Sequence, residues 1–106
     1  MSFGDMQRMM RQVQKMQTEM AKIQEEVGQR TQEATAGGGA VCVTANGRGE
    51  LVSIKLAAEA LDPADPEMVA DLVLTAANEA LRRAHEMMSQ ELGRISGGLP
   101  KIPGLT

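Results

Sequence analysis

Residues 40–56, AVCVTANGRGELVSIKL, decide the fold, because they contain two alternating apolar runs on either side of a turn signal. Every second residue in each run is apolar, as expected for strands that bury one face. These positions are Val41, Val43, Ala45, Val52, Ile54 and Leu56. Residues 46–49, NGRG, lie between the runs, and Asn-Gly favours a turn because both residues tolerate positive φ. The stretch therefore predicts a β-hairpin.

Two loop lengths give this hairpin different registers. A two-residue loop at positions 46–47 would place Val43 opposite the charged Glu50. A four-residue loop gives the pairs Ala45–Glu50, Val43–Val52 and Val41–Ile54. A sheet with one apolar face favours the four-residue loop. Because an isolated hairpin is marginally stable, we expect a third strand and a cover for the apolar face.

The composition predicts a single domain with an aliphatic core. The chain has 106 residues, of which 42% are apolar, and Phe3 is its only aromatic residue. Such a core buries less area per residue than an aromatic one, which favours an oligomer that shares its core between chains. The net charge of −3 gives no overall attraction to nucleic acid. However, both ends of the sequence are basic and the middle is acidic, a distribution that points to charged partners.

The residue types needed for catalysis or metal binding are scarce. Cys42 is the only cysteine and His85 the only histidine, so the sequence predicts no disulfide, no metal centre and no catalytic site. Cys42 is interpreted as a packed thiol and His85 as a solvent-facing helix residue. We expect no signal peptide and no membrane-spanning run, because no long apolar stretch occurs in the sequence. We also expect no cofactor, no small-molecule substrate and a reducing, cytoplasmic setting.

The segment before the hairpin carries a heptad pattern from about Asp5 to Val27. Its apolar residues are spaced 3, 4, 3, 4, 3 and 4 positions apart, which is typical of a helix with a continuous seam. The seam consists of Met6, Met9, Val13, Met16, Met20, Ile23 and Val27. It indicates either core or coiled-coil packing, or an adaptable binding surface rich in methionine. A helix of this length crosses or projects from a small domain, so its simplest partner is a second copy of the chain.

A line of positive charge follows the same helix. Arg8, Lys15 and Lys22 share heptad position c, and Arg11 lies next to them at position f. A second basic cluster, Arg82, Arg83 and Arg94, lies on the later helix. Each cluster is either a solvated surface or a binding surface for an anionic partner.

The rest of the chain supplies the third strand and the second helix. Residues 29–36 are expected to form an edge strand, and the three glycines at positions 37–39 a turn or hinge. Helical periodicity predicts a second long helix from about Pro66 to Ile95, with alanines that allow close approach to the sheet. Residues 1–5 and 97–106 are expected to be flexible ends of a single domain spanning residues 1–106.

The order of these segments resembles the YbaB/EbfC family of nucleoid-associated DNA-binding proteins. The resemblance rests on MQRMMRQVQKMQTEMAKIQEEV, GGGAVCVTANGRGELVSIKL, LVLTAANEALRRAHEMMSQELGRISGG and the Pro-Gly tail. It implies an α+β fold, in which each α-β-β-β-α protomer has an antiparallel three-stranded sheet and the homodimer is tweezer-like. It also implies binding to duplex DNA in the bacterial cytoplasm and nucleoid, with effects on nucleoid organisation and gene regulation.

Two sets of site residues follow from the charge and apolar patterns together with this resemblance. The predicted DNA-binding residues are Arg8, Arg11, Lys15, Lys22, Arg82, Arg83 and Arg94. The predicted dimer interface consists of Met9, Val13, Met16, Met20, Val41, Val43, Val52 and Ile54. The alternative function is a dimeric protein–protein adaptor that uses the methionine-rich seam.

Overall fold

Two long helices flank a three-stranded sheet in the computed structural model, which describes residues 2–95. The elements are α1 (Phe3–Gly28), β1 (Thr31–Ala36), β2 (Val41–Asn46), β3 (Leu51–Leu56), a 3₁₀ turn (Ala58–Ala60) and α2 (Pro66–Ile95). The strands are antiparallel in the order β1-β2-β3. The predicted α+β fold and its element order are confirmed, while the tail at 97–106 lies outside the described residues.

Local capping explains where the helices begin. The Ser2 side chain accepts a hydrogen bond from the Asp5 backbone N–H at 3.3 Å, so α1 begins at Phe3. Residues 3–5, expected to be frayed, form the first turn of this helix. Asp65 accepts a hydrogen bond from the Met68 N–H at 3.1 Å, and Pro66 takes the first position of α2, where its missing N–H is harmless.

The hairpin register differs from the prediction by two residues at Val43. Val43 lies opposite Ile54 and Val41 opposite Leu56, while Ala45 lies opposite Leu51 and the pairing shifts between Thr44 and Ala45. The predicted pairs Ala45–Glu50, Val43–Val52 and Val41–Ile54 are therefore all wrong.

The loop chemistry explains this register. The Asn46 N–H donates to the Glu50 carbonyl at 2.9 Å, which leaves a three-residue loop rather than a four-residue one. The Asn46 side-chain oxygen accepts from the backbone N–H groups of Arg48 and Glu50 at 3.0 Å each. Gly49 adopts φ +84°, the left-handed conformation that completes such a loop. One extra residue in β3 then returns the apolar side chains to the same face as Val41 and Val43.

The core lies between α2 and the first two strands. Four alanines of α2 are buried at helical spacing, and their small side chains let the helix backbone lie close to the sheet. The buried cluster consists of Ala34, Val41, Val43, Ala45, Ala76, Ala77, Ala80 and Ala84. The predicted close packing of α2 on the sheet is confirmed, and within residues 2–95 the core contains no aromatic side chain.

The third strand lies beyond the cover that α2 provides. Its large apolar side chains Leu51, Val52, Ile54 and Leu56 remain about half exposed in the single chain. The apolar face of the hairpin is therefore buried on β2 and open on β3. The sequence predicts correctly which face of the hairpin is apolar. It does not predict that α2 covers this face on β2 and leaves it open on β3.

The hairpin loop holds the end of α1 against the sheet. The Gly47 N–H donates to the Arg30 carbonyl at 3.0 Å, and a Cβ at Gly47 would lie 2.2 Å from the Val27 carbonyl oxygen. Only glycine fits this approach of two backbones. From this junction α1 runs antiparallel to the end of α2, with Met16 close to Ile95, and the whole measures 74 × 27 × 16 Å.

Candidate nucleic-acid interface

The first helix presents a line of unpaired positive charge. Arg8, Arg11, Lys15 and Lys22 are all exposed, and none forms an ion pair with any residue in the described range 2–95. Residues seven apart on a helix are separated by about 10 Å, so the line is about 21 Å long. Its donors are free to bind the oxygens of an anionic partner.

The positive charge is strongest in the first half of this line. Between Arg8 and Lys15 the helix has no acidic residue, whereas Lys22 is surrounded in sequence by Glu19, Glu25 and Glu26. An anion that approaches α1 therefore meets the largest attraction around Arg8, Arg11 and Lys15.

The arginines of α2 are held by carboxylates instead. Arg82 binds Glu79 through two parallel contacts, Nε to Oε2 at 3.0 Å and Nη2 to Oε1 at 2.5 Å. Its third nitrogen, Nη1, donates to Glu86 at 2.5 Å. Arg83 donates from Nε to Glu79 at 3.1 Å and from Nη1 to the Glu33 carbonyl of β1 at 2.7 Å.

Arg94 is engaged as well, although less closely. Its Nη1 lies 3.3 Å from Glu91, whose carboxylate also lies 3.7 Å from Arg30. The seven predicted DNA-binding residues thus divide into four unpaired cations on α1 and three paired arginines on α2. The i,i+3 and i,i+4 spacings of Glu79 with Arg82 and Arg83 allow this pairing. Asp5–Arg8 and Lys15–Glu19 have the same spacings but form no ion pair in residues 2–95, so spacing alone does not separate the two groups.

The hydrogen bonds from Arg82 lower the pKa of Glu79 from its usual 4.5 to about 2, with Arg83 acting in the same direction. The same contacts raise the pKa of Arg82. The charged form of Glu79 is therefore favoured in the folded protein over the whole neutral pH range.

This shift predicts a loss of stability in acid. A folded-state pKa below the unfolded value means that the contribution is complete above pH 4.5 and disappears as the pH falls towards 2. We expect the melting temperature of the native protein to exceed that of Glu79→Gln at pH 6, and the difference to shrink as the pH approaches 2. Circular dichroism melts at several pH values measure this, and a difference that is constant with pH would contradict it.

Two apolar surfaces lie outside the core. On α1 the exposed apolar residues are Phe3, Met6, Met9, Met10, Val13 and Met20, and on β3 they are Leu51, Val52, Ile54 and Leu56. Met16, partly covered near Ile95, has some accessible surface. Val41 and Val43 have none, because α2 buries them within one chain, so these two predicted interface residues are not accessible to a second chain.

Other types of site have little support in residues 2–95. No group of three His, Cys, Asp or Glu side chains there lies close enough to hold a metal ion. His85 is exposed on α2, and Cys42 is half-buried in β2. Neither long helix, over the same range, has an apolar run that could cross a membrane.

Comparison with known proteins identifies the family. The sequence matches the YbaB/EbfC DNA-binding family across residues 2–99. The chain belongs to this family. A nucleoid-associated protein of Pelotomaculum thermopropionicum is 62% identical over 102 residues, which cover 96% of each chain. A nucleoid-associated protein of Desulforamulus reducens is 56% identical over 102 residues, with the same coverage of both chains.

Membership in the YbaB/EbfC family confirms the resemblance inferred from the sequence and places the chain among DNA-binding proteins rather than enzymes. The fold has a solved counterpart in the crystal structure of an uncharacterised protein from Helicobacter pylori. The two structures agree with a TM-score of 0.71 at 23% identity, over 90% of this chain and 97% of the other. At that identity the likeness supports the fold alone.

Proposed function

We propose that this YbaB/EbfC chain binds duplex DNA as a homodimer, through the basic surface of α1, and thereby influences nucleoid organisation and gene expression in the bacterial cytoplasm. The observation that carries the proposal is the set of four exposed α1 cations without an ion pair in the described chain. Phosphate contacts from lysine and arginine provide most of the affinity of sequence-independent DNA binding. The naming of its relatives as nucleoid-associated supports the same conclusion.

The overall charge gives this binding a particular character. The net charge of each chain is −3, so acidic residues outnumber basic ones. The acidic parts of the chain repel DNA, while the basic part of α1 attracts it. We therefore expect a modest affinity that depends strongly on salt.

A titration of random-sequence duplex DNA at about 50 mM and about 200 mM salt tests the proposal, because phosphate-mediated binding weakens steeply over this range. A gel shift at the lower concentration that weakens strongly at the higher one is the expected result. Absence of any shift at the lower concentration would contradict DNA binding.

The homodimer is supported by the two uncovered apolar surfaces on α1 and β3. Met9 and Val13 are 53% and 55% exposed, although they belong to a continuous heptad seam. A second copy of the same helix is the simplest cover for such a seam. The open apolar face of β3 offers a second surface that a partner chain could cover.

Introducing charge into the seam is expected to weaken dimerisation. The double change Met9→Glu and Val13→Glu would bring four carboxylates together in a seam shared by two chains. Analytical ultracentrifugation should show a shift towards monomer, whereas Gln7→Glu with Gln14→Glu, the same charge change at exposed position b, should remain dimeric. If the seam variant stays fully dimeric, the β3 face must make the main contact instead. If the native protein sediments as a monomer at every concentration measured, the proposed homodimer is wrong.

The alternative proposal is a protein–protein adaptor. The specific observation in its favour is the exposed methionine group of Met6, Met9 and Met10, since flexible thioether side chains suit varied partners. If the native protein is a dimer that fails to bind duplex DNA at the lower salt concentration, that result would favour the dimeric adaptor.

A further inference from the structure

A neutral cluster occupies the middle of α2, where the sequence shows two adjacent arginines. Glu79, Arg82, Arg83 and Glu86 carry two positive and two negative charges, all within two turns of the helix. The side chain of Arg82 is 55% exposed, so solvent reaches it. Each of its three nitrogens, however, donates to a carboxylate: Nε and Nη2 contact Glu79, and Nη1 contacts Glu86.

Carboxylate and phosphate compete for the same arginine geometry. A guanidinium binds either group through two parallel N–H donors, and Glu79 already occupies the Nε–Nη2 edge of Arg82. A DNA phosphate must displace this carboxylate and also approach its negative charge. The α1 cations meet no such competitor in the described chain.

We infer that Glu79 masks Arg82 from DNA phosphates and so sets the DNA affinity of the protein below what its basic residues would allow. The inference rests on the proposed DNA binding and adds a residue that limits it. Glu79 acts only by positioning Arg82 and does not itself contact DNA.

Arg83 has a different role in the same cluster. Its Nη1 donates to the Glu33 carbonyl at 2.7 Å, on an edge strand of the sheet, so it joins α2 to β1. Loss of Glu79 would remove the contact made by Arg83 Nε but leave this bond to β1 in place, so Arg83 stays attached to the sheet. The side chain that becomes available is therefore Arg82, which would retain only its interaction with Glu86.

The variant Glu79→Gln tests the mask, with Glu67→Gln as a matched control. Glu67 lies in the first turn of the same helix, is exposed and has no ion pair in the described residues, so both variants remove one negative charge. Relative to the control, Glu79→Gln should bind random duplex DNA at least about threefold more tightly at low salt. Its slope of log K against log salt should steepen by about 0.9 for each phosphate that the freed side chain neutralises.

A double variant assigns the gain to Arg82. Glu79→Gln combined with Arg82→Gln should bind no more tightly than Glu67→Gln. If Glu79→Gln does not fold, which a circular dichroism melt reveals, Glu86→Gln serves in its place, because it releases only Nη1 and should give a smaller gain in the same direction.

The outcomes separate the mask from the proposed function. If the native protein binds DNA but Glu79→Gln equals Glu67→Gln in affinity and slope, only net charge matters and the mask is wrong. If the gain persists in the double variant, Arg82 is not the masked group, and the inference is likewise overturned. If neither the native protein nor Glu79→Gln binds DNA at low salt, the proposed function itself fails, and the mask fails with it.

Discussion

Replacing Val43 with aspartate is expected to unfold the protein. Val43 has no accessible surface in the single chain and lies between α2 and the sheet, among alanines and valines that offer no hydrogen bond to a carboxylate. Burying an unpaired carboxylate there costs several kcal/mol, whether it stays charged or takes up a proton. Because small domains are stable by only about 5–15 kcal/mol, this destabilisation should remove the cooperative thermal transition seen by circular dichroism.

Two further substitutions show whether the effect arises from burial. Val43→Thr introduces one hydroxyl at the same site and should lower the free energy of unfolding by about 1–3 kcal/mol while the protein remains folded. Ile54→Asp changes the residue directly opposite Val43, but Ile54 is 48% exposed beyond the cover of α2. The Ile54 variant should therefore keep a folded protomer and change self-association only. A Val43→Asp protein with native solubility and melting temperature would show that this face is not the core.

The contrast between Val43 and Ile54 shows where sequence patterns stop being informative. Alternation places both residues on the apolar face of the hairpin, and the structure agrees. The sequence pattern cannot tell which strands a helix covers, since that depends on how α2 crosses the sheet. The chain places α2 over β1 and β2 and leaves β3 at an open edge.

Local chemistry was predictable to different extents. The periodicity of the two helices, the alanines of α2 and the glycine turn at 37–39 depend on near neighbours in sequence, and all are confirmed. The hairpin register depends on one side chain, because the Asn46 oxygen binds two loop N–H groups and shortens the loop. Apolar matching across strands could not reveal that interaction.

The charged residues illustrate the same limit. The charge pattern along the sequence marks Arg8 and Arg82 alike as candidates for DNA binding, but only the structure shows that Arg82 forms ion pairs and Arg8 does not. A count of basic residues therefore overestimates the number of cations available to a phosphate.

Removing the basic line of α1 is expected to abolish most DNA affinity. In the triple variant Arg8→Gln, Lys15→Gln and Lys22→Gln, each side chain keeps hydrogen-bonding capacity and loses its charge. For each phosphate that is no longer neutralised, the slope of log K against log salt should flatten by about 0.9. If the three cations of one protomer bind phosphates, the triple variant should bind more weakly by about two to three orders of magnitude near 0.1 M salt, roughly equally for all sequences, and by more if both protomers of the dimer contribute.

A second triple variant, Arg30→Gln, Arg48→Gln and Lys55→Gln, removes the same net charge from the cations outside the predicted set in residues 2–95. We expect its affinity to fall much less than that of the α1 variant, because its cations lie around the sheet and not along the helix. Both proteins are first compared by circular dichroism and sedimentation. The α1 variant should keep its fold, since none of its three side chains forms an ion pair in the described chain.

The comparison of the two salt slopes then identifies the DNA-binding surface. A cation that binds a phosphate contributes about 0.9 to the slope, so removal of a phosphate-binding side chain should change the slope more than loss of the same charge elsewhere in the protein. If the α1 variant and the control fall equally in affinity and slope, the protein binds DNA through its overall field and α1 has no special part. If the α1 variant keeps the native affinity and slope, Arg8, Lys15 and Lys22 do not bind DNA phosphates. The predicted DNA-binding residues that remain are then Arg11 and the arginines of α2, of which Arg82 would first have to leave Glu79.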